Sequence, residues 1–132
     1  MILLDTQVLI WLLFDDEKLG TRARRVIDGA WKAGEAYVSA ISFWEMAMLH
    51  EKRRLDLLLD VGALRANLLT EGLLEAPLTG AIGIRAVRLP DLPRDPADRI
   101  VVATALEGYQ LVTADQEILG WSGSLDRMDA RT

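Results

Sequence analysis

Four carboxylates lie where predicted strands give way to helices. Asp5 follows the apolar run Ile2–Leu4, Glu45 lies near the start of a helix, Asp98 begins a later helix, and Asp115 follows another strand. Burying a lone carboxylate is costly unless it is hydrogen-bonded, paired with a cation or bound to a metal. Carboxylate oxygens suit hard divalent cations such as Mg²⁺ or Mn²⁺, which need neither histidine nor cysteine. The four acids therefore predict a divalent-metal site, and Asp5 does so most strongly because apolar residues flank it on both sides.

The rest of the composition excludes several other kinds of active site. The chain has no cysteine, which rules out disulfides, thiolate zinc sites and cysteine nucleophiles, and His50 is its one histidine. A Ser/His/Asp triad would have to use that histidine, and no histidine cluster can bind a transition metal. The formal net charge of −5 argues against a general nucleic-acid coat, because nonspecific affinity comes from Lys and Arg on phosphates. A nuclease that recruits divalent cations is compatible with this charge.

Length and hydrophobicity predict a single globular domain over residues 1–132. The chain is 51% hydrophobic and has no long polar tract, so we expect it to bury roughly two-thirds of its unfolded surface. Its longest apolar stretches, such as Val8–Phe14, are far shorter than the ~20 residues that span a bilayer. No basic leader precedes the first apolar run. These features predict a soluble cytoplasmic protein without a membrane segment.

The elements that must position the acids alternate between strands and helices. Apolar runs predict strands at Ile2–Leu4, Ala36–Ser39 and Gln110–Thr113, with an ambiguous fourth at Leu74–Leu78. Periodicity and capping signals predict helices at residues 21–32, 41–54, 60–70, 79–87 and 96–107. This order predicts an α/β fold in which helices flank a mainly parallel central sheet. Because ligands bind at the C-terminal edge of such sheets, we expect the four carboxylates to converge there.

Taken singly, three of the acids also fit structural roles. Ser42-x-x-Glu45 matches a capping box, and Asp98 occupies the first turn of the helix that Asp95 caps. Asp115 could cap the turn that follows it. The acid after the first strand has no comparable local explanation. Convergence of all four on one edge of the sheet distinguishes a metal site from separate helix caps.

Three segments of the chain form an ordered set of motifs: MILLDTQVLIWLL, VSAISFWEMAM and RDPADRIVVATALEGYQLVTAD. In this order they resemble the motifs of PIN-domain ribonucleases, and specifically the VapC-like toxins of bacterial toxin–antitoxin pairs. The resemblance covers nearly the whole chain and implies a PIN-like fold. It also implies that Asp5, Glu45, Asp98 and Asp115 form the divalent-metal site and that the hydroxyl of Thr6 supports Asp5. Asp95 is implied as a neighbour of the metal site rather than as a ligand.

The resemblance further implies an activity and two kinds of partner. The activity is that of a metal-dependent endoribonuclease toxin, which hydrolyses phosphodiester bonds in tRNA or another structured RNA by means of Mg²⁺ or Mn²⁺. Asp5, Glu45 and Asp98 would be the main ligands, and Asp115 would bind a second ion or orient water. The partners are a cognate antitoxin protein and a second copy of the chain. The leucine-rich stretch Leu55–Leu74, which we expect to form a helical hairpin, is either ordinary core or the antitoxin-binding surface.

The sequence departs from the motifs of this branch at residues that could touch the substrate. Gln7 replaces a common histidine, Leu92-Pro93 replaces a pair of histidines, and Met48-Leu49 stands where a lysine is common. None of these changes removes a predicted metal ligand. They do leave the substrate contacts to be found elsewhere in the chain.

Basic and aromatic side chains are the candidates for those contacts. The basic candidates are Arg22, Arg24, Arg25, Lys52, Arg53, Arg54 and Arg99. Each arginine also fits a solvated face, and Arg99, predicted near the site, could instead pair with a neighbouring acid. The aromatic candidates are Trp11, Trp31, Trp44 and Trp121, of which Trp31 and Trp44 fit core packing better.

Three other functions are compatible with parts of the pattern. A phosphatase of the haloacid dehalogenase type also places Asp after its first strand, but it needs a second Asp where Gln7 stands. A housekeeping PIN nuclease in RNA maturation would share the site and lack an antitoxin. A non-catalytic PIN-like module that binds protein or RNA would be expected to have lost one of the four acids.

Overall fold

The computed structural model describes residues 1–132 as five strands and seven helices. The strands are β1 (Ile2–Leu4), β2 (Ala36–Ser39), β3 (Leu74–Ala76), β4 (Gln110–Thr113) and β5 (Arg127–Asp129). They form one sheet in the order β3-β2-β1-β4-β5, and every neighbouring pair is parallel. The prediction of an α/β fold with a mainly parallel central sheet is confirmed.

Helices connect the strands and cover the sheet. They are α1 (Thr6–Leu13), α2 (Thr21–Lys32), α3 (Ala40–Glu51), α4 (Val61–Thr70), α5 (Gly80–Val87), α6 (Pro96–Ala105) and α7 (Gln116–Leu119). None of these helices has the length and apolar character needed to cross a membrane.

Two apolar clusters hold the helices against the sheet, one on each face. Leu4, on one face of β1, belongs to the cluster that includes Val8 and Met46. Leu3 points to the opposite face and belongs to the cluster that includes Val102 and Ile118. Successive side chains of a strand alternate between faces, and burying each such side chain contributes about 1.5–3 kcal/mol. A strand of only three residues is therefore anchored on both faces.

The register of the central strands aligns their C-terminal ends. Leu4 at the end of β1 pairs with Val38 on one side and with Val112 on the other. The residues that follow these pairs therefore share one edge of the sheet. Asp5 consequently lies between the ends of β2 and β4, and the helices that continue from these strands start at the same edge.

Several predicted elements need correction. Helix α1 was not expected, because the apolar run Val8–Phe14 shows no polar face from which a helical period could be read. Strand β5 was not expected either, because it is a short edge strand with charged residues at both ends. Leu55–Leu74 is not a helical hairpin, since only Val61–Thr70 within it is helical. Trp44 is 55% exposed, so the prediction that it packs in the core is wrong.

Candidate active site

Asp5 is positioned by two elements and held by two hydrogen bonds. It follows β1, precedes α1 and is 6% exposed. Its Oδ1 accepts from the backbone N–H of Thr6 at 2.9 Å, and its Oδ2 accepts from the hydroxyl of Thr113 at 2.7 Å. Asp5 is therefore the N-cap of α1, so the expectation that no local cap explains this residue was wrong. The cap uses one oxygen, and the second hydrogen bond comes from a distant strand.

Hydroxyl support for Asp5 comes from Thr113 rather than from Thr6. The Thr6 hydroxyl donates to Ser42 Oγ at 2.8 Å, so Thr6 contacts the aspartate through its backbone. The buried Thr113 Oγ1 also accepts from the backbone N–H of Asp115 at 3.1 Å, so one hydroxyl positions two acids. Sequence reasoning missed Thr113. Its place at the end of β4 is a signal, but the contact depends on the pairing of β1 with β4.

Glu45 is free of the capping role that its spacing suggested. The N-cap of α3 is Ser39, whose hydroxyl accepts from the backbone N–H of Ile41 at 3.2 Å. Glu45 is thus the sixth residue of the helix, too far from the cap to complete a capping box. Its partly buried carboxylate lines the same cavity as Asp5.

The N-terminus of α6 contributes two carboxylates. Asp95 is the N-cap, and its Oδ1 accepts from the backbone N–H groups of Ala97 at 2.9 Å and Asp98 at 3.3 Å. Asp98 follows in the first turn. Carboxylate oxygens of Glu45, Asp95 and Asp98 all lie within 4.8 Å of one another. Asp95, expected as a neighbour of the site, thus belongs to its tightest cluster of acids.

Asp115 combines a cap with a place at the cavity. Its Oδ1 accepts from the backbone N–H groups of Glu117 at 2.8 Å and Ile118 at 3.3 Å, which makes it the N-cap of α7. The capping interpretation of this residue is therefore structurally sound. The cap and the cavity do not compete, because capping holds the carboxylate at the mouth of the site.

All of these acids line one open cavity of about 550 Å³. The acids are Asp5, Glu45, Asp95, Asp98 and Asp115. The four carboxylates identified from the sequence therefore converge at the C-terminal edge of the sheet. The cavity is also lined by Gln7, Trp11, Lys18 and Arg131. Trp11 is one of the aromatic candidates for substrate contact, whereas Lys18 and Arg131 are not among the basic candidates predicted from the sequence.

Burial and mutual repulsion disfavour the charged state of these carboxylates. Burial raises the pKa of Asp5 to about 6, against the hydrogen bonds from Thr113 and Thr6. Burial, followed by the nearby charges of Asp5 and Asp95, raises the pKa of Asp98 to about 7. Burial also raises the pKa of Glu45. A cation among the carboxylates would relieve this repulsion and favour the ionised forms.

The donor set fits a hard divalent cation. All donors are carboxylate oxygens, and Mg²⁺ takes oxygen ligands at 2.0–2.1 Å in octahedral geometry, so opposite ligands lie about 4.2 Å apart. The 4.8 Å limit on the oxygens of Glu45, Asp95 and Asp98 is close to that span. Asp5 and Asp115 line the same cavity from the ends of β1 and β4.

Arg99 does not serve the site as predicted. Its guanidinium donates to the backbone carbonyls of Pro93 at 3.0 Å, Ala86 at 2.9 Å, Leu89 at 3.0 Å and Leu92 at 2.8 Å. It pairs with no acid and does not line the acidic cavity. Arg99 instead ties α5 and the proline-rich loop to α6, and so holds the helix start that carries Asp95 and Asp98.

The fold and this cavity define the class of protein. The sequence matches the PIN domain family over residues 2–119, and the chain belongs to that family. It is 36% identical over 119 residues to ribonuclease VapC22 of Mycobacterium tuberculosis, a match that covers 89% of this chain and 88% of that protein. The predicted resemblance to VapC-like PIN-domain ribonucleases is thereby confirmed.

A solved structure shares the fold. A chain of a toxin–antitoxin complex from Klebsiella pneumoniae superposes on this protein with a TM-score of 0.66 and 21% sequence identity, covering 98% of each chain. At this identity the likeness extends to the architecture. The PIN-like fold predicted from the sequence is therefore supported by a known structure as well as by the family.

Proposed function

We propose that this protein is a VapC-like endoribonuclease toxin that uses Mg²⁺ or Mn²⁺ to hydrolyse phosphodiester bonds in RNA. The observation that carries the proposal is the convergence of five carboxylates in one cavity of a PIN domain. RNA as substrate is supported by the name of the ribonuclease that is 36% identical to this chain. The reaction would take place in the cytoplasm, on tRNA or another structured RNA.

The residues of the cavity have different roles in the proposed reaction. When bound, the divalent cation supplies positive charge at the phosphate and lowers the pKa of a water molecule. Asp5, Glu45 and Asp98 would hold it, and Asp95, whose oxygens lie near two of them, is a candidate fourth ligand. Asp115 would hold a second cation or orient the attacking water. Thr113 keeps Asp5 and Asp115 in place through its hydroxyl.

Cleavage of RNA by metal-stripped protein tests the proposal. We would incubate the protein with total RNA in Mg²⁺, Mn²⁺ or EDTA, beside Asp98→Asn, Glu45→Gln and the control Asp28→Asn. Asp28 is exposed on α2 and pairs with Lys32, away from the cavity. We expect cleavage only with a cation, its loss in both cavity variants, and its retention in the control. If the wild-type protein binds RNA but cleaves none with either ion, the nuclease proposal is wrong and the protein is a binding module.

The cognate antitoxin would bind an apolar groove beside the acidic cavity. Six hydrophobic residues line this groove, which has a volume of about 390 Å³: Leu13, Phe14, Leu57, Leu58, Leu59 and Leu64. Phe14 is 50% exposed and Leu58 fully exposed, which is unusual for side chains of this kind. Helix α1 joins the two sites, because Ile10 and Trp11 line the acidic cavity. An antitoxin segment in the groove could therefore reach the carboxylates.

Binding of the antitoxin encoded beside the toxin gene tests this groove. Leu58→Ser removes apolar surface without disturbing the core, and Leu78→Ser changes an exposed leucine elsewhere, which is 44% exposed. We expect only Leu58→Ser to weaken the complex and to relieve inhibition of cleavage. Absence of any such neighbouring gene would favour a housekeeping nuclease.

We also propose that the protein forms a homodimer. Ile84 and Val87 of α5 are 57% and 81% exposed, which leaves apolar surface outside the groove for a second copy. Light scattering on the purified chain, with Val87→Ser as the variant, tests this proposal. A monomer at micromolar concentration would contradict it.

A further inference from the structure

One basic side chain of the acidic cavity has no role in the proposed reaction. Arg131 lines the cavity together with the carboxylates, yet its guanidinium makes no ion pair within 4.0 Å. Lys18, the other cation of the cavity, lies 3.8 Å from Asp16 and is 66% exposed. An arginine that neighbours several carboxylates and pairs with none calls for another partner.

The side chain of Arg131 is held in place by uncharged groups. Its Nη1 donates to the backbone carbonyl of Ala114, and its Cζ lies 5.4 Å from the centre of the Trp11 ring. Ala114 stands between Thr113, which holds Asp5, and Asp115. The guanidinium is therefore anchored to the same strand end as the acids. Nη2 and Nε make no hydrogen bond within the protein, so one side of the guanidinium is available to a ligand.

The backbone around Arg131 is equally constrained. The N–H of Ala130 donates to Thr113 O at 2.9 Å, and the N–H of Gly20 donates to Ala130 O at 2.8 Å. The N–H of Arg22 donates to Thr132 O at 3.0 Å. A Cβ on Gly20 would lie 2.2 Å from the carbonyl carbon of Thr132, so only glycine allows this approach. Arg131 is thus exposed but preorganised, which reduces the entropy lost when it binds a ligand.

These constraints favour an anion with two or more oxygens. A guanidinium matches carboxylate and phosphate through parallel N–H donors, and the acids of the cavity would repel a polyanion unless a fixed cation offsets them. RNA presents a phosphate on each side of the bond to be cleaved. An acidic protein segment would bind Arg131 as well, but the proposed reaction requires the phosphates of RNA to lie at these carboxylates, whereas it requires no acidic protein segment there.

We propose that Arg131 binds a phosphate of the RNA strand adjoining the bond that is cleaved, and so positions the strand over the carboxylates. This inference rests on the proposed nuclease function. It adds a substrate-binding residue in place of the histidines and lysine that are common in this branch and that the chain lacks.

Equilibrium binding of a short single-stranded RNA of mixed sequence tests the proposal. It would be measured in EDTA, where cleavage cannot interfere, over a range of salt concentrations, for wild type, Arg131→Gln, Arg131→Lys and Lys32→Gln. Lys32 precedes β2, at the opposite edge of the sheet, and pairs with Asp28, so its variant makes the same change in charge away from the cavity. Thermal melting of each variant shows that it is folded.

For Arg131→Gln we expect the dissociation constant to rise on the order of tenfold, because a charge-assisted hydrogen bond is lost. The slope of log K against log salt should fall by about 0.7, the value for one phosphate of a single strand. Arg131→Lys should keep the slope and lose part of the affinity, and Lys32→Gln should change neither. With Mg²⁺ present, KM should rise in Arg131→Gln while kcat stays close to wild type.

Three results would overturn the proposal. The first is equal RNA affinity and salt slope in Arg131→Gln and Lys32→Gln. The second is absence of RNA binding by the wild type. The third is that Arg131→Gln leaves RNA binding unchanged and weakens antitoxin binding. The last result would assign Arg131 to a protein partner. If Arg131→Gln weakens RNA binding but the wild type cleaves nothing with either cation, the nuclease proposal fails and the phosphate contact stands.

Discussion

The acidic cavity has two walls whose carboxylates are in different environments. The strand wall carries Asp5 and Asp115 at the ends of β1 and β4, and the helix wall carries Asp95 and Asp98 at the start of α6. On the strand wall, Asp5 is 6% exposed and has both oxygens hydrogen-bonded by the protein itself, through Thr6 and Thr113. On the helix wall, Asp98 at the start of α6 receives no hydrogen bond or cation, and burial with neighbouring acids raises its pKa to about 7. The comparison indicates that the strand wall is a prearranged framework. The helix wall is where the charge of a bound cation has most to compensate.

This difference explains how the fold tolerates a cluster of acids. A buried carboxylate that accepts two hydrogen bonds loses less on leaving water than one that accepts none. The unsatisfied charge is placed on the more exposed wall, where protonation or a cation can relieve it. Substitutions on the two walls should therefore have effects of different kinds.

Asp98→Asn should have the largest effect on activity and the opposite effect on stability. Loss of a proposed metal ligand and of its charge should lower the cleavage rate by about a thousandfold, which corresponds to about 4 kcal/mol in the barrier. The same change removes repulsion among the acids, so the metal-free variant should melt higher than wild type at neutral pH. Cleavage assays and melting curves on the same preparations measure both effects. A metal-free variant that melts lower would show that the charge of Asp98 is already compensated.

Arg99→Gln should destabilise the helix wall by about 2–4 kcal/mol, because four backbone carbonyls lose a charged donor. Urea unfolding measures this change, and Arg88→Gln is the matched control, since Arg88 is exposed at the end of α5. Mg²⁺ affinity should fall as well, because the start of α6 loses its support. Equal stability of the two variants would contradict the role assigned to Arg99.

Thr113→Val should damage the strand wall by about 1–3 kcal/mol, since Asp5 loses a buried donor and the N–H of Asp115 loses an acceptor. The pKa of Asp5 should rise further, because the hydrogen bond that opposes the effect of burial is gone. Cleavage should then need a higher pH than in the wild type. Thr113→Ser, which keeps the hydroxyl, should restore the pH profile, and a profile unchanged in Thr113→Val would refute this assignment.

How far the sequence predicts each wall depends on whether its contacts are local. The helix wall is predicted by Asp95-Pro96, because an N-cap followed by proline at the first helical position is a signal contained in adjacent residues. Helix α6 begins where this signal predicts. The strand wall depends on a hydrogen bond between residues 108 positions apart. Only the pairing of β1 with β4 brings Thr113 to Asp5, and no local pattern encodes that register.

The same reasoning accounts for the other omissions. Helix α1 is buried along most of its length, so its apolar run lacks the polar face from which helices are recognised. Arg131 reaches the cavity because β5 pairs with β4 and Gly20 admits the segment that follows. Arg99 follows Asp98 in the sequence, but its guanidinium donates to four backbone carbonyls and does not line the cavity. Which face a side chain takes is a property of the packed structure.

The last predicted effect is on the stability of the metal-free protein between pH 5 and pH 8. Asp5 and Asp98 have raised pKa values in the folded state, so the folded protein binds more protons than the unfolded chain between the ordinary carboxyl pKa of about 4 and their values of about 6 and 7. Their contribution to stability is present below pH 4 and is lost as the pH rises through these values. The melting temperature of metal-free protein should therefore fall as the pH rises across this range.

Glu75 does not obscure this window. Its ion pair with Arg65 lowers its pKa, so its contribution to stability is present above the ordinary carboxyl pKa and is complete by pH 5.

Two further measurements divide the change in melting temperature between the walls. Mg²⁺ at pH 8 should restore the melting temperature, and Asp98→Asn should remove its own part of the fall, leaving the part due to Asp5 and to Glu45, whose pKa burial also raises. A melting temperature that rises from pH 5 to pH 8 in EDTA would mean that the cavity already neutralises its acids, and the contrast between the two walls would be lost.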